Sequence, residues 1–592
     1  MSEEHLLPAP IITPVKNGVL TIDKSATGQF IEVHISADGI MTGEPITIYN
    51  LTVNPIQETA GSYRPNNQFV YSIDQADIQL GNIEVYYVVK NDLGTPTESK
   101  KQPILVKDKS ATTPTHPDEP FIVMGARYAN YAMANDLGAP QRLTAWSHDG
   151  QPLAVSWSYV DGASKFYSPF DYSSSTFFYD NAPNLTISVS HPSKGSLTIN
   201  PINVFGNGGI DSDYPSAFAA FLNDNSMVGW GGPFGSSTTA SNINSLTTCG
   251  SAYAALQSVG NENSRIMCWG MDVPNNLSGS APFQNLGAGH SSFAVLNANG
   301  YTMHVWGELT GSWSIGMDEY IYIGNKYNFF GYTTYGSLES WPEQIVGQPG
   351  SALPPVGNYT NLRYVSTIPA GNCCFITQDG TPGLWGLDIP SNDPVGHADP
   401  YYSYTLATPP SFAAPKNLIK FNGVTDPTGK VMVCGLGMFP DASGDSEMIS
   451  WYFQDRNDSA ITRTIRSVDI SISHTLLYLL NSDHSVMLSA PDAPDPIVQG
   501  LQDVVQVTCS ASAYAALKID GTVVTWGDAE YGGDCSAVQG DLKNVRAIYA
   551  TGKAFVALTA DKKVVIWGNP GGGWDTSEIT SLLGEKLTYY KD

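Results

Sequence analysis

The chain has 592 residues, which is too long for one compact core and predicts roughly three or four domains at about 150 residues each. Hydrophobic residues account for 42% of the sequence and charged residues for only 14%, while Gly (57), Pro (39) and Tyr (31) are abundant, as in turn-rich β-proteins. The 29 Lys and Arg residues are outnumbered by 55 Asp and Glu residues, and the resulting formal charge of −26 repels polyphosphates. The composition therefore argues against nucleic acid as a partner.

The N-terminal residues show neither a Sec signal peptide nor a membrane anchor. Residues 1–5 include two acidic residues, and no stretch of the chain reaches the roughly 18 to 20 apolar residues of a membrane span. We therefore expect a soluble protein that is secreted or displayed at the cell surface by a route without an N-terminal signature, or alternatively is cytoplasmic. The seven Cys residues, an odd number in a large chain, predict buried, reduced thiols.

Residues 1–107 carry the pattern of an immunoglobulin-like β-sandwich. Short alternating segments are separated by Gly, Asn and Asp at intervals of roughly 10 to 20 residues, which is typical of antiparallel strands with one buried face. These segments are 19–22, 30–35, 45–49, 69–73 and 83–89. The Cys pair and buried Trp of antibody domains are missing, so the pattern resembles the sandwiches of bacterial surface proteins.

Two further segments precede the longest part of the chain. Residues 108–118 are rich in Thr, Pro and Lys without periodicity, which predicts an extended, solvated linker. Residues 119–205 predict a small β-rich module with strands near 142–146, 153–159 and 185–189. Because about 85 residues make a small independent core, we expect this module to pack on a neighbour or to pair with the final domain.

From Gly206 onward the chain repeats a unit of two strands joined by a tight turn. In the clearest copies, 513–527 and 554–568, a Leu is followed nine positions later by Trp-Gly. The other copies are Phe221/Trp230, Leu256/Trp269, Leu296/Trp306, Ile376/Trp385 and Leu480/Ser489, the last of which has lost its Trp. Seven units of about 40 residues result, which is the length of a four-stranded propeller blade.

The expected fold class is therefore all-β: an N-terminal immunoglobulin-like sandwich, a small second β module, and a C-terminal seven-bladed β-propeller over residues 206–592. The length in excess of seven units is assigned to insertions near 308–345 and 387–450. An alternative treats residues 431–435 as an eighth, degraded unit. The Trp side chains are predicted to fill space between blades and not to form a site.

The pattern aromatic-Ala-Ala-Leu, Asp-Gly and Val-Val-x-Trp-Gly of residues 514–527 resembles the repeat of the regulator of chromosome condensation family, in a form closest to its bacterial members. The resemblance covers about 380 residues and implies a seven-bladed propeller. The founder of the family exchanges guanine nucleotide on a small GTPase and acts on chromatin, and a related bacterial class inhibits β-lactamases through loop contacts. The exchange-related residues of the family cannot be placed one by one on this sequence.

The sequence has no motif of enzymatic or metal chemistry. It contains no His-Glu-x-x-His, Cys-x-x-Cys or Gly-x-Ser-x-Gly pattern. Residues 423–431 resemble a phosphate loop but lack its spacing and its Ser or Thr, and the acidic clusters 211–213 and 492–495 lack the spacing of a calcium loop. We therefore expect a protein that is not an enzyme and has no cofactor and no metal.

The distinctive feature is an aromatic-rich first insertion. Nine aromatic residues lie between positions 313 and 341, where Lys326 is the single cation, and Tyr and Trp dominate binding hot spots. The candidate binding residues are Trp313, Tyr320, Tyr322, Tyr327, Phe330, Tyr332, Tyr335, Trp341 and, in the second insertion, Tyr401 and Tyr402. Two interpretations remain open: a satellite core that holds the insertion on the propeller, or a recognition surface for protein or glycan.

We expect a non-enzymatic interaction protein that displays these aromatic segments to a protein or glycan ligand, for example on a host or target-cell surface, in an adhesion or toxin-associated role. The alternative is an effector with guanine nucleotide exchange activity on a small GTPase. That alternative rests on likeness of fold alone. A chromatin role is a third hypothesis, and the acidic charge disfavours its DNA contacts.

Overall fold

A computed structural model describes residues 6–591 in two compact units, with the division between Thr112 and Thr113. The residues within this span that it leaves undescribed are 14, 17–18, 23–29, 53, 61, 63–66, 92–93, 109–118, 128–140, 161–170, 181–182, 208–215, 271–279, 290–291, 298–301, 315–319, 325–328, 334–337, 342–361, 369–371, 378–381, 387–403, 406–416, 426–430, 441–445, 455–464, 473–476, 482–483, 489–500 and 570–575. The regular structure of the described residues is predominantly β-strand. Among them, no helix has the length and apolarity that a membrane crossing requires.

The first unit contains ten described strands in two sheets. They are β1 (Ile11–Thr13), β2 (Val15–Lys16), β3 (Val19–Ile22), β4 (Phe30–Ser36), β5 (Pro45–Tyr49), β6 (Ile56–Thr59), β7 (Gln68–Asp74), β8 (Gly81–Lys90), β9 (Pro96–Glu98) and β10 (Gln102–Asp108), with a 3₁₀ turn at Gln75–Asp77. One sheet has the order β1-β4-β7, and the other has the order β2-β3-β10-β8-β5-β6 with β9 beside β8.

The two sheets of the first unit face each other across one core. Alternate residues of β4 (Ile31, Val33, Ile35) and of β8 (Val85, Tyr87) are buried in the same apolar cluster. Successive side chains of a strand point to opposite faces, so this alternation turns one face of each sheet inward. The pairing is antiparallel except between β3 and β10, which run parallel.

The second unit begins with a segment that we call the cap, residues 119–203. Its strands are β11 (Ile122–Met124), β12 (Gln141–Trp146), β13 (Ser156–Tyr159), β14 (Phe177–Asp180), β15 (Ile187–His191) and β16 (Gly195–Ile199). They form two three-stranded sheets, β11-β12-β14 and β13-β15-β16. Their buried residues, including Phe121 and Val189, belong to the same apolar cluster as Leu517 and Val556 near the end of the chain. The cap therefore shares a core with distant sheets.

The remaining strands of the second unit follow one another in short antiparallel sheets. The strands are β17 (Val204–Gly206), β18 (Ala217–Phe221), β19 (Met227–Gly231), β20 (Gly235–Ala240), β21 (Ile243–Thr248), β22 (Ala252–Gly260), β23 (Asn263–Gly270), β24 (Ser280–Ala281), β25 (Phe283–Ala288), β26 (Ser292–Asn297), β27 (Thr302–Gly307), β28 (Gly311–Ser314), β29 (Tyr320–Gly324), β30 (Phe329–Thr333), β31 (Leu338–Trp341), β32 (Leu362–Ile368), β33 (Asn372–Thr377), β34 (Pro382–Gly386), β35 (Tyr404–Thr405), β36 (Asn417–Thr425), β37 (Val431–Pro440), β38 (Ser446–Gln454), β39 (Ile465–Ile472), β40 (Leu477–Asn481), β41 (Val486–Leu488), β42 (Val504–Cys509), β43 (Ala513–Lys518), β44 (Val523–Gly527), β45 (Val545–Ala550), β46 (Ala554–Thr559) and β47 (Val564–Gly568). The helix α1 (Thr576–Leu583) follows, and 3₁₀ turns occur at Gly232–Phe234, Ala529–Tyr531, Ser536–Val538 and Gly584–Lys586.

These strands form eight sheets in chain order: β17–β20, β21–β24, β25–β28, β29–β31, β32–β35, β36–β41, β42–β44 and β45–β47. The hairpins of all seven predicted units are present, from β18–β19 to β46–β47. The stretches that the sequence assigned to insertions also contain sheet strands, β29–β31 and β36–β38, so a count of seven blades is not confirmed. The Trp-Gly signal marks only some of the sheets, and the residues 431–435 lie within the strand β37.

The sheets form a closed series. The first strand of one sheet contacts the first strand of the next, as in the pairs β17/β21, β21/β25, β25/β29 and β42/β45. The series returns to its start because β45 contacts β17. We call this series, residues 204–568, the ring. Radial repetition of this kind leaves only short sheet edges and is the arrangement of a propeller.

Neighbouring sheets are tied by left-handed residues at the hairpin tips. Asn225, His484 and Gly521 have φ of 60°, 65° and 75°. Their carbonyl groups accept hydrogen bonds from the amides of Ile243, Val504 and Val545, which begin the following sheets. Asn and Gly are favoured in this conformation, so the tips encode both the turn and the link to the next sheet.

The recurring interval between an aromatic residue and Trp in the repeat places two aromatic side chains opposite each other on neighbouring strands. Four Trp side chains of the repeat, at positions 230, 306, 526 and 567, are buried in these sheets. The ring centroids of Phe218 and Trp230 are 5.6 Å apart, and those of Tyr514 and Trp526 are 5.5 Å apart. Trp230 and Trp526 are buried. Opposed aromatic pairs of this kind stabilise an antiparallel sheet, which explains the fixed interval in the sequence.

Closure of the ring depends on a very close backbone approach. Gly206 ends β17, and a Cβ atom added to it would lie 2.2 Å from the carbonyl oxygen of Ala550 in β45. The amide of Gly552 donates to the carbonyl of Asn207 (3.3 Å), and the Asn207 side chain donates to the carbonyl of Gly250 (3.2 Å). The last, first and second sheets are therefore joined by consecutive hydrogen bonds.

Replacement of Gly206 by Ala tests this closure. The added methyl group would collide with a backbone oxygen, so we expect the free energy of unfolding to fall by about 1–3 kcal/mol. The measurement is thermal unfolding of the full chain. Gly540→Ala is the matched control, because a Cβ atom there would meet no heavy atom within 4 Å. Equal unfolding temperatures for the two variants would contradict the close contact.

Candidate binding surface

The aromatic segment predicted as a binding surface forms part of the ring. Trp313 lies in β28, Tyr320 and Tyr322 lie in β29, Phe330 and Tyr332 lie in β30, and Trp341 lies in β31. Tyr327, Tyr335, Tyr401 and Tyr402 lie outside the described residues. The strand β29 contacts β25 on one side and β32 on the other, so the segment occupies a place in the series of sheets.

The strand register sorts the aromatic positions of this sheet onto two faces. Opposed residues of an antiparallel pair share a face. The pairs Gly324/Phe329, Tyr322/Gly331 and Phe329/Trp341 put positions 320, 322, 329 and 341 on one face. The pairs Ile321/Tyr332 and Ile323/Phe330 put positions 330 and 332 on the other. The candidate residues are thus divided between two sides of one sheet.

The face that includes Phe329 has a described contact. Phe329 is fully buried and packs against the preceding sheet, in a cluster with Ala294, Leu296, Met303, Val305 and Leu309. Its side chain therefore supports the interpretation that part of the aromatic segment holds its own sheet in the ring. Phe329 was recognised as aromatic in the sequence but was not among the candidate binding residues.

The structure contains two buried ion pairs that the sequence analysis does not predict. The Arg127 guanidinium donates to Asp180 at 2.7 and 3.1 Å, and the Arg546 guanidinium donates to Glu119 at 3.3 and 2.7 Å. All four side chains are at most 5% exposed. The second pair joins the cap to β45. Each pair connects residues far apart in sequence, so no local motif signals them.

A third buried cation links the cap to the middle of the ring. Arg142 lies 5.7 Å from the ring centroid of Phe177. Burial lowers the pKa of Arg142, while Tyr179 and Asp469 act in the opposite direction. Asp469 belongs to β39, so this cluster places charge from a ring strand against the cap. Arg142 and Arg546 therefore lie at the contact between cap and ring, a position typical of scaffold.

Four Cys residues whose side chains are described are free thiols. Cys249, Cys509 and Cys535 are buried, and Cys268 is half-buried. Burial raises the pKa of both Cys249 and Cys268 to about 11. These two thiols are therefore protonated near neutral pH and are poor nucleophiles. Within the described ranges, no group of three His, Cys, Asp or Glu side chains is placed to hold a metal ion.

No protein-family model and no curated protein matches the sequence. Similar solved structures include Prp20p, the RCC1 of Saccharomyces cerevisiae, at 13% identity over 58% of this chain and 87% of that chain, with a TM-score of 0.29. The CRINKLY WD40 ectodomain of the Arabidopsis thaliana receptor kinase ACR4 is 14% identical over 49% of this chain and 96% of that chain, with a TM-score of 0.28.

A third similar structure is the C-terminal domain of gp131 from bacteriophage phiKZ, at 12% identity over 52% of this chain and 97% of that chain, with a TM-score of 0.26. At these identities and TM-scores, the similar structures assign neither a family nor a ligand to this chain.

Truncation of Phe329 tests its packing role. Phe329→Ala removes a fully buried ring, so we expect a loss of about 3–5 kcal/mol in the free energy of unfolding of the second unit. Thermal or denaturant unfolding of the full chain is the measurement. Phe30→Ala is the control, because Phe30 is 57% exposed and its truncation should change stability little. A Phe329→Ala variant as stable as this control would contradict the contact.

The thiol pKa values predict a pH profile of alkylation. With a pKa of about 11, Cys268 gains thiolate roughly tenfold per pH unit, so its alkylation rate should rise steadily between pH 7 and pH 9.5. Mass spectrometry after iodoacetamide pulses measures the rate at each Cys. In the denatured chain the same rate should level off near a pKa of about 8.5. Levelling of the native profile below pH 9 would refute the raised pKa.

Proposed function

We propose that this protein is a non-enzymatic interaction protein whose ring presents the aromatic segment 313–341 to a protein or glycan ligand. One observation carries the proposal: this segment is built into the ring as β28–β31, so its strands have a rigid scaffold on both sides. Rigid aromatic residues supply large contact area at a low entropic cost, which favours recognition.

The division of faces refines which residues serve recognition. Phe329 is committed to the core, and positions 320, 322 and 341 share its face. We assign ligand contact to Phe330 and Tyr332 on the opposite face, together with Tyr327 and Tyr335, which the sequence places between the strands. Tyr401 and Tyr402 join them as candidates from the second aromatic segment.

Charge restricts the class of ligand. The chain has a formal charge of −26, and residues 313–341 contain one cation, Lys326. A neutral glycan or a protein surface with basic residues is compatible with this charge, whereas a phosphate-rich ligand is not. We propose a location outside the cell, with the ligand on a host or target-cell surface, and an adhesion or toxin-associated role.

We further propose that residues 6–108 are an immunoglobulin-like module that spaces or anchors the ring. The support is a sandwich of two sheets around one core, with β3 parallel to β10 and the other pairs antiparallel. Such modules commonly serve as spacers in surface proteins, and this one divides from the second unit as a compact unit of its own.

The binding proposal predicts that loss of the assigned aromatic side chains weakens ligand binding without lowering the stability of the fold. In a variant with Tyr327, Tyr332 and Tyr335 changed to Ala, we expect binding to a glycan array or to target cells to fall at least tenfold, while the unfolding temperature stays within a few degrees of the parent. Three aromatic anchors are enough for such a loss at a hot spot.

A variant with Tyr49 and Tyr86 changed to Ala is the control, because these stacked rings lie in the first unit. Unchanged binding of the Tyr327/Tyr332/Tyr335 variant would refute the assigned surface. A nucleotide-release assay with the same proteins and a panel of small GTPases tests the alternative, since accelerated release would establish exchange activity.

A further inference from the structure

The chain ends in a segment that touches the first sheet of the ring, the last sheet and the cap. The helix α1 contacts both β19 and β47, and its residues Ile579 and Leu583 are fully buried. Ser237 in β20, the last strand of the first sheet, donates a hydrogen bond to Glu578 at 2.8 Å. The helix thus spans the junction at which the ring closes.

The residues after α1 complete the first sheet. In other sheets, the amide two positions after the repeat Leu donates within the same sheet, as from Ile519 to the Asp503 carbonyl and from Ala560 to the Asn544 carbonyl, both 2.8 Å. In the first sheet, the corresponding amide of Asn223 donates to the carbonyl of Lys586 at 2.9 Å. Lys586 therefore takes a place that the sheets beginning with β21, β42 and β45 fill with the residue just before their own first strand.

The last residues then add to the edge of the cap. Tyr590 pairs with Ile199 at the end of β16, the Asn200 amide donates to the Tyr589 carbonyl (3.1 Å), and the Lys591 amide donates to the Thr198 carbonyl (2.8 Å). Main-chain bonds of this kind are the same as those by which a peptide adds to a sheet edge.

Residues 588–590 also form hydrogen bonds that involve side chains of the cap or of these residues themselves. The Asn200 amide group donates to the carbonyls of Thr588 (3.0 Å) and Tyr590 (3.2 Å) and to the Thr588 hydroxyl (3.1 Å). The Tyr589 hydroxyl donates to the Gly125 carbonyl (2.9 Å). The Tyr590 hydroxyl lies 3.1 Å from both the carbonyl and the amide of Val123. Each of these contacts crosses from the C-terminus to the cap.

We propose that residues 576–591 form a latch that holds the first sheet of the ring and the cap against the last sheet, and that opens as a unit without unfolding the sheets β42–β47. Loss of the latch exposes the junction between β17 and β45. Many polar contacts of the latch depend on the side-chain amide of Asn200.

The test replaces the side-chain amide of Asn200 by a carboxylate of the same shape. Asn200→Asp puts a negative oxygen opposite the carbonyls of Thr588 and Tyr590, so the donors are lost and repulsion is gained. Hydrogen exchange of the full chain, followed by mass spectrometry, should show at least tenfold faster exchange in 119–127 and 216–231. Exchange in 504–518 and 554–568 should match the parent. Asn261→Asp, on the exposed hairpin between β22 and β23, adds the same charge as a control and should change none of these regions.

Two results would overturn the latch: parent-like exchange of Asn200→Asp everywhere, or equal acceleration in all four regions. If Asn200→Asp does not fold, Thr588→Val supplies a milder test, since it removes one hydroxyl and keeps the main-chain contacts. It should accelerate the same two regions by a smaller factor, and failure to do so would also refute the proposal.

A second measurement uses the folded full chain with a site-specific protease sequence replacing residues 570–575. After cleavage, the C-terminal fragment should remain bound by native mass spectrometry in the parent background and dissociate in Asn200→Asp. Retention in both backgrounds would show that apolar burial of α1, and not the hydrogen-bonded end, holds the segment, which contradicts the assigned latch.

Discussion

The closure between β17 and β45 is the contact on which the second unit depends. A ring of short sheets gains nothing from its last interface until the first and last sheets meet, and loop-closure entropy must be overcome before that contact forms. Gly206 permits the meeting because any Cβ atom there would overlap the Ala550 carbonyl. The hydrogen bond from the Gly552 amide to the Asn207 carbonyl then adds a second contact between the last and first sheets.

Buried charge is placed where this closure meets the cap. Arg546 is in β45 itself and pairs with Glu119 at the start of the cap. Burial favours a lower pKa for Arg546, but Tyr590 and Glu119 outweigh it and the pKa is raised. Loss of either partner would leave an uncompensated buried charge, which costs several kcal/mol, about 3–5 in measured cases. The pair therefore makes the docking of the cap specific, since a shifted cap would strand both charges.

Sequence reasoning succeeded where a local signal recurs. The interval between Leu517 and Trp526 fixes a hairpin, because the opposed aromatic pair and the tight turn repeat at the same register. It gives no strand count where the repeated residues are missing. The sheet β29–β31 uses Phe329 in place of a Trp-Gly pair, and β36–β38 has neither, so both were assigned to insertions.

The same limit applies to the candidate site and to the latch. The aromatic content of residues 313–341 is visible in the sequence, but the division of its faces requires the strand register, which a sequence without a turn motif does not fix. The contacts of Arg546 with Glu119 and of Asn200 with Thr588 each join residues hundreds of positions apart. Long-range pairs of this kind carry no periodic signal.

The aromatic segment lies in strands of the ring, which limits how far its backbone could move on binding a ligand. An inserted loop could rearrange around a ligand, whereas a strand held between β25 and β32 cannot shift without breaking its neighbours. The backbone of such a strand is therefore preorganised, and a preorganised surface loses little conformational entropy when it binds. Phe329 is used for packing, so the ligand contacts that we propose lie on the opposite face of its sheet.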